Sequence, residues 1–330
     1  MNADALAGSR PITPEQVGTW AALQASIARA DGTDEIFGAD DLLEEFDDPL
    51  TDFGSGSIAV YDGDAMIGYS VLTARESAEP THDMRQDGGV HPDYRGRGIG
   101  AALLAWSERS AIPLHAARHP ERPLWLSGSC LDTNGSAIGL FSARGYRQVR
   151  WFNLMQKDLS SAVAEQRLPD GIEVAGLDPE RSADALLVRN EAFRDHWGST
   201  ETSRERWEHF TGLRVFRPAY SFVAYEAGEP LAMIMGQEYE VLNGGTGERE
   251  LYVPLVATKR AARGRGIASA LLGLALAKAR ADGFTTATLN VDADSPTGAV
   301  RLYERLGFAV KETWISYRKE LPLPGAEPSA

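Results

Sequence analysis

The segment Val256-Ala-Thr-Lys-Arg-Ala-Ala-Arg-Gly-Arg-Gly-Ile-Ala268, followed by Ser269-Ala-Leu-Leu272, decides how this chain is read. An earlier stretch, Val90-His-Pro-Asp-Tyr-Arg-Gly-Arg-Gly-Ile-Gly100 with Ala101-Ala-Leu-Leu104, is its near copy, and Arg95 and Arg263 are 168 positions apart. Downstream, Ala137-Ile-Gly-Leu-Phe-Ser-Ala-Arg-Gly-Tyr146 parallels Ala299-Val-Arg-Leu-Tyr-Glu-Arg-Leu-Gly-Phe308, with Phe141 and Tyr303 separated by 162 positions. Trp151-Phe-Asn-Leu-Met-Gln-Lys-Asp-Leu159 then answers Trp314-Ile-Ser-Tyr-Arg-Lys-Glu-Leu321. Matches in one order at nearly one offset mean a duplicated domain, not the short repeats of a solenoid. The turn-forming stretch from Ser160 to Asp170 places the linker, giving copies over 1–160 and 170–330.

Each copy reads as mixed α and β. In the second, a short strand over Gly171 to Val174 precedes helices over Ser182 to Phe193 and Ser203 to Phe210. Strands over Tyr220 to Tyr225 and Leu231 to Met235 join around Gly228, and Glu250 to Val256 alternates as a strand should. Ile267 to Ala281 is an apolar-striped helix closed by Gly283. A strand over Thr285 to Val291, a helix over Ala299 to Leu306 and a strand pair over Phe308 to Tyr317 complete the copy. The first copy offers a matching hairpin, Ser57 to Tyr61 and Met66 to Leu72, turning at Asp62-Gly63.

Composition narrows the function classes. A net charge of -14 repels nucleic-acid phosphate and acidic membrane surfaces and favours cationic partners. Cys130 is the single cysteine, which excludes an internal disulfide or thiolate cluster. No histidine pair has a metal-ligand spacing such as HExxH, so no metal is expected. The start lacks the basic and apolar regions of a secretory signal, no apolar run reaches membrane-spanning length, and a cytoplasmic protein is expected. The tail from Leu321 to Ala330, rich in Pro and small residues, is expected to fray.

Both glycine-rich turns follow a strand and open a helix. Helix-start N–H groups lack intrahelical partners, the macrodipole is positive there, and glycine lets backbone approach a bulky anion such as a pyrophosphate. A P-loop would need Gly-Lys-Ser/Thr, and a dinucleotide fingerprint would need GxGxxG; neither is present. The pattern Arg-x-x-Gly-x-Gly/Ala resembles the pyrophosphate-binding motif of the GNAT superfamily of N-acetyltransferases. The stretch Ala299 to Phe308 resembles that superfamily's later acetyl-CoA-binding helix and strand. Both motifs recur, so the resemblance covers most of the chain. It implies an α/β fold, an α+β mixed sheet in two tandem acyl-CoA N-acyltransferase domains, with acetyl-CoA as acyl donor. Val256, Ala257 and Thr258 are then expected along the pantetheine arm. Arg263, Gly264, Arg265, Gly266, Ile267, Ala268 and Ser269 are expected to hold the pyrophosphate. Val90 with Arg95, Gly96, Arg97, Gly98, Ile99, Gly100 and Ala101 forms the equivalent surface of the first copy.

Acetyl transfer to an amine poses two proton problems. An amine of pKa about 10 is only about one part in a thousand neutral at pH 7, so the nucleophile must lose a proton; the leaving thiolate is helped by a donor. A backbone N–H on a splayed strand would hold the oxyanion. Superfamily members with a tyrosine acid carry it where Tyr303 stands. Phe141, at that place in the first copy, cannot donate a proton, so catalysis is expected in the second copy. Either ring can alternatively serve as core. Glu250, whose place resembles that of the base in tandem members, is the candidate base; it can equally be a solvated residue of the charged stretch Gly247 to Glu250. Glu238 and Glu240 are rivals. Period two places Glu250, Tyr252, Pro254 and Val256 on one face and Leu251, Val253 and Leu255 on the other. The superfamily's asparagine before the tyrosine is matched by Asn134 in the first copy but by Pro296 in the second, where Ser295 is a substitute.

The expected acceptor is a primary amine on a small cationic or amino-sugar-like molecule, or alternatively a protein amino group. Asn190 to Trp197 and Trp207 to Phe210 offer aromatic and acidic groups to such an amine, or simply pack two helices. His196 reads as a hydrogen-bonded helix-end residue. A non-catalytic acyl-CoA sensor is the competing function.

Overall fold

The computed structural model describes residues 3–33, 37–76, 78–161, 166–194, 199–240, 248–295 and 298–323. His196, Trp197, Pro296 and the end of the tail, 324–330, lie outside the described residues. The strands are β1 (Ser57–Asp62), β2 (Ala65–Thr73), β3 (His82–Val90), β4 (Leu124–Leu131), β5 (Arg147–Asp158), β6 (Ile172–Gly176), β7 (Phe222–Glu226), β8 (Glu229–Gln237), β9 (Glu250–Thr258), β10 (Thr286–Asp292) and β11 (Ala309–Leu321). The expected strand pair at the C-terminal end is one continuous strand, β11, because no turn interrupts its thirteen residues.

Two compact units form, and they cross the linear division suggested by the repeat. One holds the chain up to Trp151 and again from Trp314 onward; the other is Phe152–Thr313. The exchange follows from strand pairing. Phe152 to Asp158 of β5 pairs antiparallel with β10, while Trp314 to Leu321 of β11 pairs antiparallel with β4. Each unit therefore takes its last strand from the other half of the sequence.

In the first unit the strands run in the order β1-β2-β3-β4-β11, with only the β3–β4 neighbours parallel. The helix Val17–Asp31 packs Trp20 and Leu23 with Tyr69 and Val71 on one sheet face. Leu104 and Ala111 of the helix Ile99–Ala116 pack with Leu72, Met84, Leu124 and Leu126 on the other. In the second unit the order is β5-β10-β9-β8-β7-β6, with only β9 and β10 parallel. The helix Ile267–Ala281 buries Ile267, Leu271, Leu272, Ala275, Leu276 and Ala279, the stripe that its periodicity predicts. Helices Ser182–Ala192 and Arg204–Gly212 cover the opposite face with Val188 and Trp207. Ala227 and Gly228 both take positive φ, 49° and 84°, which gives the β7–β8 turn the twist a tight hairpin needs. Among the described residues, no helix is long and apolar enough to cross a membrane.

The first unit buries a histidine pair with no sequence signal. His82 of β3 and His115 of the helix Ile99–Ala116 are fully buried, with their Nδ1 atoms 2.8 Å apart. One Nδ1 must donate and the other accept, so the two rings cannot both be charged. Burial, then the charges of His119 and His115, pushes His82 down to about 4, and burial lowers His115 as well. Both folded values lie below the unfolded value near 6.5, so an unfolded chain binds more protons in that interval. Stability is therefore complete above about pH 6.5 and falls as pH drops toward 4. Urea midpoints at pH 7.5 and pH 5 should differ more in the wild type than in a His82→Leu/His115→Leu double variant. Equal differences would show that the pair does not titrate on unfolding.

Candidate active site

The turn after β9 is built on left-handed glycines. Gly264 and Gly266 have φ of 76° and 84°, and a Cβ added at either would meet nothing within 4 Å. Gly266 caps the helix Ile267–Ala281, whose first intrahelical bond runs from Ala270 N to Gly266 O at 3.0 Å. The N–H groups of Ile267, Ala268 and Ser269 thus precede the helical ladder beside open space, as an anion cradle requires. The first unit repeats this geometry at Gly96 (φ 75°) and Gly98 (φ 83°), ahead of Ile99, Gly100 and Ala101.

The arginines do other work than their charge suggested. Arg263 donates from Nε to Thr258 O at 3.2 Å and from Nη2 to Ala192 O at 2.8 Å, tying the turn to the end of the helix Ser182–Ala192. Arg95 donates from Nε to Val90 O at 3.2 Å, and its two terminal nitrogens grip Asp31 at 2.6 and 3.0 Å. Arg265 bonds Glu226 at the surface, and Arg97 donates to Asp93 O. Asn134 caps the helix Gly135–Ala143 by accepting from Ala137 N at 3.1 Å, while its amide donates to Asp31 at 3.3 Å.

Next to the turn, the sheet opens. Parallel pairing of β9 with β10 runs only from Glu250↔Thr286 to Val253↔Leu289. Beyond it, the β9 edge from Leu255 to Thr258, including Val256 and Ala257, has no register partner on β10. On the other side of β9 the ladder with β8 slips: Met235 pairs with Leu255, but Gln237 pairs with Tyr252. One extra β9 residue is accommodated beside Pro254, which has no N–H to give a ladder. This bulge corrects the expected alternation. Leu251 and Val253 pack in the core of the helix Ile267–Ala281, and Val256 now joins them. Leu255 and Ala257 pack on the opposite face, with the helices Ser182–Ala192 and Arg204–Gly212. Proline inside a strand was the sequence signal for this break. In the first unit β3 and β4 also part after four pairs, His82↔Leu124 to Arg85↔Ser127, yet β2 and β3 pair without a slip.

Two candidate proton-transfer groups lie on opposite faces of the sheet, Glu250 in the first register pair of β9 with β10 and Tyr303 in the core beneath the helix Ile267–Ala281. Tyr303, on the helix Ala299–Arg305, lies in the core that contains Leu251, Val253 and Ile267 and is 8% exposed. Burial pushes its phenol up to about 12. Glu250 projects to the other face. Its carboxylate accepts from Thr288 Oγ1 at 2.8 Å, Thr286 Oγ1 at 3.3 Å and Gln156 Nε2 at 3.3 Å. In the first unit Phe141 is packed, stacking on Tyr317 with centroids 4.7 Å apart; a Cβ on Gly128 would sit 2.9 Å from its ring.

The rival carboxylates are engaged elsewhere. Glu238 is 4% exposed and is gripped by Arg249 at 2.8 and 3.1 Å and by Arg217 at 3.0 Å. Burial alone would raise its pKa, but bonds from Arg249 and Arg217 hold it below the usual carboxylate range. Glu240 accepts from Arg217 at 3.0 Å. Of the aromatic residues expected at the acceptor, Trp207 is 2% exposed and donates to Ser182 Oγ, so it packs its helix. Phe210 lies against the same core. Ser295 closes a turn with its N–H bonded to Asp292 O.

The description "Acetyltransferase (GNAT) family" matches residues 186–308, and "Acetyltransferase (GNAT) domain" matches residues 54–148. The mycothiol acetyltransferase of Streptomyces avermitilis is 32% identical over 260 residues, covering 78% of each chain. That of Thermobispora bispora is 30% identical over 305 residues, 90% of this chain and 94% of its own. A GCN5-related N-acetyltransferase from Sphaerobacter thermophilus superposes with a TM-score of 0.76 at 28% identity, over 97% of this chain and 96% of its own. A tandem GNAT protein from the clavulanic acid biosynthesis pathway shares the fold at a TM-score of 0.73 and 18% identity, over 96% and 99% of the two chains. With two such domains in one chain and relatives of this identity along most of its length, the protein belongs to the GNAT family as a tandem-domain, acetyl-CoA-dependent N-acetyltransferase.

Proposed function

We propose that the unit Phe152–Thr313 carries the catalysis, passing an acetyl group to the primary amine of a small cationic or amino-sugar-like acceptor by direct attack in a ternary complex. The observation that carries this reading is the parting of β9 from β10 after Val253, with Glu250 on one face of the paired segment that leads to it and Tyr303 in the core on the other face. The open cradle at Gly264 and Gly266 fits a diphosphate, and the unpartnered edge of β9 fits an extended pantetheine amide chain. Acetyl-CoA supplies the acetyl thioester to this gap.

Within that frame the chain's own groups have separate tasks. Glu250 takes the proton of the incoming ammonium, directly or through water, so that the amine attacks with a lone pair. N–H groups on the free edge of β9 face the place where the carbonyl oxygen gains charge. Tyr303 stays protonated throughout the neutral range, as a phenol pushed up to about 12 must, and gives its proton to the departing sulfur. The net charge of -14 draws cationic acceptors at long range. Relatives named for acetylating mycothiol-type molecules support a small-molecule acceptor.

The first unit keeps the glycine cradle at Val90 and Arg95 to Ala101 but sets Asp31 against it, where the second unit presents only the carbonyl of Ala192. Asp31 cancels the charge of Arg95 there, whereas Arg263 bonds to carbonyls and keeps its positive charge toward a diphosphate. The amide of Asn134 is likewise committed to its helix cap and to Asp31. The tight acetyl-CoA site is therefore the second unit's.

Turnover with acetyl-CoA across polyamines, aminoglycosides, amino acids and cysteinyl amino-sugars, read as released CoA thiol, tests the reading. Tyr303→Phe should lower kcat roughly a hundredfold and Glu250→Gln by a similar factor, both with little change in the KM for acetyl-CoA. No turnover with any amine would instead favour an acyl-CoA sensor. By calorimetry, Gly264→Val, which forces a β-branched residue into a left-handed turn, should weaken acetyl-CoA binding at least about tenfold. Gly96→Val should leave the tight site intact. The reverse pattern would move the cofactor site to the first unit.

A further inference from the structure

Two carboxylates hold matching places in the two units, and their surroundings differ in charge. Asp83 precedes Met84, the β3 residue in the core beneath the helix Ile99–Ala116; Glu250 precedes Leu251, the β9 residue in the core beneath the helix Ile267–Ala281. Both therefore project from the opposite face of the strand that leads to the glycine turn. Asp83 accepts from Ser127 Oγ at 2.8 Å and from Arg318 Nη2 at 2.6 Å, with Arg75 at 3.8 Å. Ser127 and Arg318 are register partners across β4 and β11. Glu250 accepts from Thr288 Oγ1 at 2.8 Å and Gln156 Nε2 at 3.3 Å, and Thr288 and Gln156 are register partners across β10 and β5. The frame of hydroxyl plus cross-strand donor is the same. At the cross-strand position the donor changes from guanidinium to neutral amide, and Asp83 has a second guanidinium, Arg75, beside it.

We propose that Thr288 and Gln156 are positioning residues for the Glu250 carboxylate, and that the neutral amide at position 156 is what leaves Glu250 available to an acceptor ammonium. This rests on the reading of Glu250 as the base. Guanidinium groups bound to a buried carboxylate occupy its lone pairs and cancel the charge that would attract a substrate cation. Asp83, 5% exposed beneath Arg318, is in that state. Gln156 fixes the orientation of Glu250 without competing with the substrate for its charge. Thr288, 2% exposed, contributes the shortest of the three bonds. Gln156 comes from the terminal strand of the first repeat, so the catalytic unit draws one part of its base machinery from the other half of the duplicated sequence.

Steady-state kinetics of the full chain separate the possibilities, using the best amine from the panel above. Gln156→Arg is expected to lower kcat to the level of Glu250→Gln, about a hundredfold down, while the KM for acetyl-CoA stays within about twofold. Thr288→Val, close in shape but without a donor, should cost about tenfold in kcat, and Thr288→Ser should restore turnover to within about threefold. Adding either Gln156→Arg or Thr288→Val to Glu250→Gln should cause no further loss, as groups acting through one carboxylate must. If Glu250→Gln is inactive while Gln156→Arg and Thr288→Val turn over normally, the positioning roles are overturned and the base stands. If Glu250→Gln itself retains activity, the base assignment falls instead. A loss in Thr288→Val that Thr288→Ser does not reverse, or one spread equally over kcat and acetyl-CoA KM, marks a packing defect and overturns the role of Thr288.

Discussion

Everything at the site depends on how far β9 stays bonded to β10. Four register pairs hold the strands together from Glu250 to Val253, and after that they part. Had the pairing continued, the backbone groups of β9 would be satisfied internally, and nothing at this edge could bind an amide-bearing chain. On the other side of β9 an extra residue beside Pro254 breaks the ladder with β8, where a proline has no N–H to give and the strand bends. The same bend turns Val256 toward the core of Tyr303 while Leu255 turns away. One irregular residue thereby decides which side chains of β9 line the two faces beyond the parting.

The glycine turn completes this arrangement through backbone geometry more than charge. Arginines in an anion-binding motif invite the view that they grip phosphate, yet Arg263 and Arg95 spend their donors on the carbonyls that begin their own turns. Each also reaches the end of an early helix, at Ala192 in one unit and Asp31 in the other. They act as struts that hold the left-handed glycines in place, and the N–H groups at the helix start remain for the ligand. Charge then distinguishes the copies: the strut in the first unit ends on a carboxylate, and that in the second on a neutral carbonyl.

How much of this was legible in the sequence follows from what a repeat can and cannot reveal. Local signals were readable. The stripe from Ile267 to Ala281, the hairpin at Gly228, the paired glycine turns and the Tyr303/Phe141 difference all rest on residues close in sequence. Pairing was not. Trp151 to Leu159 and Trp314 to Leu321 carry nearly the same pattern, so nothing local says that β5 joins β10 and β11 joins β4. The face assignment failed past Pro254 because a bulge shifts every later side chain by one. Gln156 and Thr288 were invisible as site residues for the same reason, since their meeting at Glu250 depends on the register of three strands.

That dependence explains how one duplicated frame holds both the carboxylate we propose as the base and one bound in ion pairs. Glu250 and Asp83 are both fixed by a hydroxyl and a cross-strand donor, so the backbone supplies equal orientation to each. A guanidinium at one donor position, with Arg75 beside it, makes the assembly a satisfied ion-pair cluster in which the carboxylate contributes to structure. A neutral amide at the other leaves the negative charge uncompensated by the fold, which raises the cost of the resting state but preserves an attraction that only a bound ammonium can meet. Such a charge is tolerable at Glu250 because the face is partly open to water and three neutral donors share the carboxylate. The interaction withheld in folding is thus the one left for the acceptor.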